Sequence, residues 1–319
     1  MSRTVFVTGA YGLLGSWLVQ ALLERGDKVT VLRRTGSPDS RLVLEGHERA
    51  CTVVDGDLVD PQALDRALIG GADAVFHLAA QTIVGAANDD PAATFDVNIR
   101  GTWTVLEACR RAGVGAVVVA ASDHAYGPHA TLPFREQDFA LEPRYPYDVS
   151  KAATDLVARS YFHTYGLPVA VTRSTNVYGG GDLNMSRLVP GAVTAALAGR
   201  APVIRSDGSP KRDFLYVEDA VRAFLAIAGN EDARGEAFNV GGDGPHTVRE
   251  IVELVCRIAG TDVEPDIRGT GTPAAEIRHK YVDSSKLRST TGWRPQVGLE
   301  EGLERTIAWY RAHVPALEA

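Results

Sequence analysis

Short β-rich apolar runs alternate with longer amphipathic ones through the first half of the chain. The apolar runs fall at residues 4–8, 28–32, 51–54, 74–78, 117–120 and 169–172, with helical patterns at 16–25, 61–69, 91–111 and 152–165 between them. Near-continuous apolar strands separated by helices predict parallel βαβ units covered on both faces. Beyond residue 173 the texture changes: a polar, glycine-rich loop at 174–183 precedes shorter patterns at 202–205, 213–217, 221–227, 238–241, 248–258 and 299–310. The expected fold class is α/β, a Rossmann-like doubly wound parallel sheet with a smaller C-terminal α/β substrate-binding region. The corresponding domains are 1–173, carrying the dinucleotide site, and 174–319, from which some segments can return to the first core. No linker, repeat or low-complexity tract separates them, so one body with a cleft between its parts is expected.

Composition excludes several classes of function. The 319 residues are 45% hydrophobic and 23% charged, an ordinary soluble balance with ample material for a core. A net charge of -7 argues against nucleic acid or an anionic membrane as partner, so any phosphate site has to come from local arrangement. No run approaches the ~20 apolar residues of a membrane span and the chain enters a strand pattern at once, which predicts a cytoplasmic protein. Cys51, Cys109 and Cys256 lie in apolar patterns without CxxC spacing, as reduced buried thiols do, and no histidines pair at ligand spacing. No metal is expected.

Candidate chemistry gathers at the ends of the predicted strands. After the first comes Gly9-Ala10-Tyr11-Gly12-Leu13-Leu14-Gly15 and then a helix. Glycines in that context permit a tight turn, close approach of backbone to a pyrophosphate, and a helix N-terminus facing the phosphates. The second strand ends in Arg33-Arg34, where a carboxylate would bind ribose hydroxyls; arginines there suit a 2′-phosphate or are simply solvated. Asp57 follows the third strand, placed to bind an adenine amino group or to cap a loop. Past the fifth strand lie Ser122, Asp123 and His124, at the carboxyl edge where open α/β sheets place ligands, although a turn built on the same residues is the plainer reading. Tyr147 and Lys151 stand four apart at a helix start and so share one face. An ammonium beside a phenol favours the phenolate, which would let the tyrosine take a proton from a sugar hydroxyl near neutral pH.

In order, TGAYGLLG, DGDL, HLAA, NIRGT, the Ser122-Asp123 pair, YxxxK, NVYGGGD, RDFLYVEDA and FNVGG resemble the extended short-chain dehydrogenase/reductase family, whose members mostly remodel nucleotide sugars. Within it, YGGGDLN, RLVPG, VIRSDG and AEIRHKYVDSSK are most similar to CDP-glucose 4,6-dehydratases. His124 departs from the Glu or Lys usual there. The resemblance implies an NDP-hexose 4,6-dehydratase with Tyr147, Lys151 and Ser122 acting at C4, His124 as C5 base and Asp123 as acid. A 4-epimerase and a non-catalytic cofactor-binding protein are the alternatives. It implies a tightly bound, recycled NAD+, slightly preferred over NADP+, held by Gly9, Tyr11, Gly12, Leu13, Leu14, Gly15, Arg33, Arg34, Asp57, Leu58, Leu78, Ala79, Ala80, Asn98, Tyr147 and Lys151. A nucleotide sugar would be held by Gln81, Asn176, Asn184, Arg187, Arg205, Arg212 and Arg278. A homodimer built on the helices at 91–111 and 147–165 is also implied.

Overall fold

A computed structural model describes residues 2–35, 37–271 and 277–317, with side chains to residue 313. Part of the AEIRHKYVDSSK resemblance, residues 275 and 276, therefore lies outside the described residues. Seven parallel strands form the central sheet: β1 (Thr4–Thr8), β2 (Lys28–Arg33), β3 (Thr52–Asp55), β4 (Ala74–His77), β5 (Val117–Ala120), β6 (Val169–Ser174) and, after three strands outside it, β10 (Ala237–Val240). Their order is β10-β6-β5-β4-β1-β2-β3. β4 is buried along its whole length and β5 nearly so, as strands covered on both faces must be. One face carries the helices Leu13–Glu24 and Val217–Ala228 through Leu18, Leu22, Val221 and Phe224. The other carries Pro61–Ala67, Gly101–Ala112 and Pro146–Tyr165 through Leu64, Leu106, Cys109 and Ala158. Strand order reverses between β1 and β4, which opens a crevice at their carboxyl ends.

The remaining strands build the roof of that crevice. β7 (Asn176–Tyr178), β9 (Lys211–Tyr216) and β11 (Pro245–Thr247) form a three-stranded sheet, while β8 (Val203–Ile204) pairs with β12 (Asp266–Ile267). They pack on Leu188–Leu197, Val248–Ala259 and Leu299–Leu317 around Val193, Ile251, Val255, Leu303 and Tyr310.

The pattern at 91–111 reads as one helix, but the structure divides it. A π-helical turn, Asp96–Arg100, stands between Pro91–Phe95 and Gly101–Ala112. It frees the carbonyl of Asn98 to accept the Thr102 and Thr154 hydroxyls at 2.6 and 2.9 Å. The Asn98 amide meanwhile bridges the Gln81 backbone and Ser150 Oγ, tying this turn to the helix that carries Tyr147 and Lys151.

Candidate active site

The glycine turn after β1 is fixed by close approach. Gly9 has φ +74°, and a Cβ there would meet the Ala79 amide nitrogen at 2.6 Å; one at Gly15 would meet the Gly9 carbonyl at 2.1 Å. Gly12 is different: its Cβ would touch only the Gly9 oxygen, at 3.4 Å. The protein does not itself demand a glycine there, yet Gly12 caps the helix Leu13–Glu24 and lines the cleft, where a side chain would fill the cradle. These residues fit a dinucleotide pyrophosphate. The cleft has a volume of about 1450 Å³ and is also lined by Tyr11, Leu13, Leu14, Arg34, Asp57, Leu58, Leu78, Ala79 and Ala80. Arg33 does not line it. Its guanidinium is held by Asp55 at 2.6 and 3.0 Å and by Glu48 at 3.3 Å, so of the arginine pair only Arg34 faces the crevice.

Beyond β5 the chain turns through Ser122, Asp123 and His124, and all three line the cleft. Ser122 Oγ donates to Asp123 Oδ1 at 3.1 Å. His124 Nδ1 lies 2.8 Å from Asp148 Oδ1, and its half-buried ring meets Tyr147 edge to face at 5.2 Å. Loss of solvent and the Lys280 ammonium lower the His124 pKa from its ordinary 6.5, against the opposing pull of Asp148 and Asp123. The ring is therefore neutral near pH 7. With Nδ1 engaged, Nε2 is the nitrogen left to take a proton.

Tyr147 and Lys151 share the helix face as their spacing requires, but their electrostatics differ from the expectation. Burial pushes the Tyr147 phenol up to about 12, outweighing the opposing pull of Arg187 and the nearby Ser122 hydroxyl. Burial also pulls Lys151 down to about 8, with its Nζ donating to the Ala120 carbonyl at 2.9 Å. Lys151 alone thus does not hold the phenolate, because removing both groups from water disfavours the charge on each.

On the substrate side Asn176, Asn184, Arg187, Arg205 and Arg212 line the cleft. Arg187 bridges Asp182 at 2.9 Å and Thr82 Oγ1 at 2.7 Å. Asn184 Nδ2 is buried with no hydrogen-bond partner, on a residue that lines the cleft. Two expected substrate residues, Gln81 and Arg278, and one expected cofactor residue, Asn98, are elsewhere. Gln81 turns its amide to the Ile83 carbonyl, Asn98 acts through the π turn, and Arg278 is exposed outside the cleft lining. The chain bends at Arg278 and His279, and Lys280 is the basic residue that turns inward instead. Lys280 is 2% exposed, and its Nζ lies 2.6 Å from Asp123 Oδ1. Lys280 and Asp148 are the site residues that sequence reasoning missed; the only signal was a charge inside an otherwise apolar or motif-bound stretch. Among the described residues no cluster of His, Cys, Asp or Glu could hold a metal, and no helix is long and apolar enough to cross a membrane.

Comparison with known proteins agrees with this geometry. Residues 5–241 match the NAD dependent epimerase/dehydratase family. A dTDP-glucose 4,6-dehydratase of Streptomyces griseus is 33% identical, over 98% of this chain and 95% of its own length. A UDP-glucose 4-epimerase of Mycolicibacterium smegmatis is also 33% identical, over 96% and 97%. The solved dTDP-glucose 4,6-dehydratase of Streptomyces venezuelae, with NAD bound, superposes with a TM-score of 0.88 at 31% identity, covering 98% of both chains. Sequence and structure alike thus make the chain a member of the NAD-dependent epimerase/dehydratase family, whose curated relatives here are nucleotide-sugar dehydratases and epimerases.

Proposed function

We propose that the chain is a nucleoside-diphosphate-hexose 4,6-dehydratase that converts its substrate to a 4-keto-6-deoxy sugar with a recycled NAD(P)+. When bound, the dinucleotide would supply a reversible hydride acceptor and the positive charge of its nicotinamide ring. Tyr147 Oη takes the C4 hydroxyl proton, and Ser122 Oγ orients the same oxygen. His124 Nε2 removes the proton at C5, which the neighbouring ketone acidifies, while a proton of the Lys280–Asp123 pair passes through Asp123 to the C6 oxygen, which leaves as water. The hydride taken from C4 then returns to C6, the His124 proton to C5, and the proton taken by Tyr147 restores the pair. Arg187 and Arg212 bring positive charge to the pyrophosphate, and Lys151 holds the nicotinamide ribose.

The observation that carries this reading is the pair of ionisable groups beyond Tyr147, each with its own buried partner: His124 with Asp148 and Asp123 with Lys280. Proton exchange at C4 alone requires neither. A C4 epimerase is the second reading, supported by the equal identity to the mycobacterial UDP-glucose 4-epimerase. The sequence resemblance favours CDP-glucose and the curated dehydratases favour dTDP-glucose. Incubating the protein with CDP-, dTDP-, UDP- and GDP-glucose without added cofactor tests all of this by mass spectrometry. Loss of one water from one sugar is the expected result; a C4 epimer of unchanged mass would overturn the dehydratase assignment.

A further inference from the structure

Lys280 and Asp123 are 157 residues apart, and both are almost fully buried. Taking two charges out of water has a desolvation cost that their attraction offsets only in good geometry, so an apolar pair of the same volume would serve stability as well. The segment that carries Lys280 is already secured by its backbone. Lys280 N donates to the Lys211 carbonyl at 3.0 Å, Phe134 N to Tyr281 at 3.0 Å and Asp283 N to Phe134 at 2.9 Å. The ion pair is therefore not needed to staple the segment in place.

Its geometry at Asp123 is specific. Oδ1 receives both the Lys280 ammonium, at 2.6 Å, and the Ser122 hydroxyl, at 3.1 Å. Oδ2 is buried without a hydrogen-bond partner, on a residue that lines the cleft. Buried polar atoms without a partner are rare, and one on a residue that lines the cleft is available to a ligand there. We propose that Lys280 is a positioning residue that locks Asp123 through Oδ1 and so presents Oδ2 to a substrate hydroxyl. Which hydroxyl follows from the dehydratase reading, in which it is the one at C6. Lys280 is faced by Asp123 and His124 on the loop after β5, by Asp148 on the helix of Tyr147, and by Arg212 and Asp213 on β9.

The test has two arms, both using Lys280→Met, with Lys280→Gln replacing it if the first variant does not fold. A crystal structure of the variant reads position independently of activity: the Asp123 carboxylate is expected to leave its wild-type orientation, and an unmoved carboxylate would overturn the proposal whatever the reaction. In the kinetic arm, kcat should fall by about 100-fold, the scale of a misplaced reacting group, with KM and NAD(P)+ binding unchanged. The double variant with Asp123→Asn should be no slower than Asp123→Asn alone. Independent, multiplying losses would show that Lys280 does not act through Asp123 and would overturn the idea. If wild type epimerises and loses no water, the dehydratase reading falls, while the crystallographic arm still decides the role of Lys280.

Discussion

Replacing Asp148 with asparagine isolates the contribution of one hydrogen bond to the proposed base. His124 Nδ1 lies 2.8 Å from Asp148 Oδ1, and the Asp148 side chain is buried. When Nε2 takes a proton, that contact becomes a bond between imidazolium and carboxylate, stronger in the transition state than in the resting pair. Hydrogen bonds to charged groups contribute ~1.5–3 kcal/mol, so Asp148→Asn is expected to slow C5 deprotonation by roughly 10- to 100-fold. Asp148 also raises the His124 pKa, so its neutralisation lowers that value further and moves the acid limb of kcat to lower pH. The assays are kcat against pH and the rate of solvent deuterium incorporation at C5 in D2O, with thermal melting as the folding control. An unchanged rate and acid limb in a folded variant, with His124→Gln inactive, would refute the dyad and leave Asp148 a packing group.

Other expectations follow from the same geometry. Tyr147→Phe should lower kcat by at least about 100-fold, the scale of a general base, while calorimetric NAD(P)+ binding is retained; lost binding would make the phenol structural. Gly12→Ala should fold normally but bind dinucleotide more weakly, since its Cβ meets only one atom at 3.4 Å, whereas Gly15→Ala should melt lower because its Cβ would lie 2.1 Å from the Gly9 oxygen. Melting curves with and without NAD+ separate the two. His77 is buried between the Thr8 and Thr102 hydroxyls, with its pKa lowered to about 3 chiefly by desolvation. Below the unfolded value near 6.5 the unfolded state binds more protons, so stability falls with acidification down to about pH 3. At ~1.36 kcal/mol per pH unit, that is on the order of 3 kcal/mol by pH ~4.5. Urea melts at about pH 7 and about pH 4.5 should show a loss of stability on acidification that is smaller in His77→Gln than in wild type by that amount.

The local pattern of the chain was enough for the sheet strands of the first half, the glycine turn, and the shared face of Tyr147 and Lys151. Burial periodicity and backbone geometry are written in neighbouring residues, and parallel strands read as apolar runs because both their faces are covered. The order of motifs also indicated the family that the comparisons establish. Tertiary structure decided what depends on residues distant in sequence. Asp55 and Glu48 take Arg33 out of the cofactor cleft, a bend at residues 278 and 279 leaves Arg278 outside and Lys280 inside, and burial reverses the expected ease of ionising Tyr147. Strand β10 reaches the central sheet from the second half of the chain, and the π turn at Asn98 forms where its amide finds Gln81 and Ser150. A side chain's charge state and partner are set by what surrounds it in space, and for a lysine 157 residues from its carboxylate no local pattern carries that information.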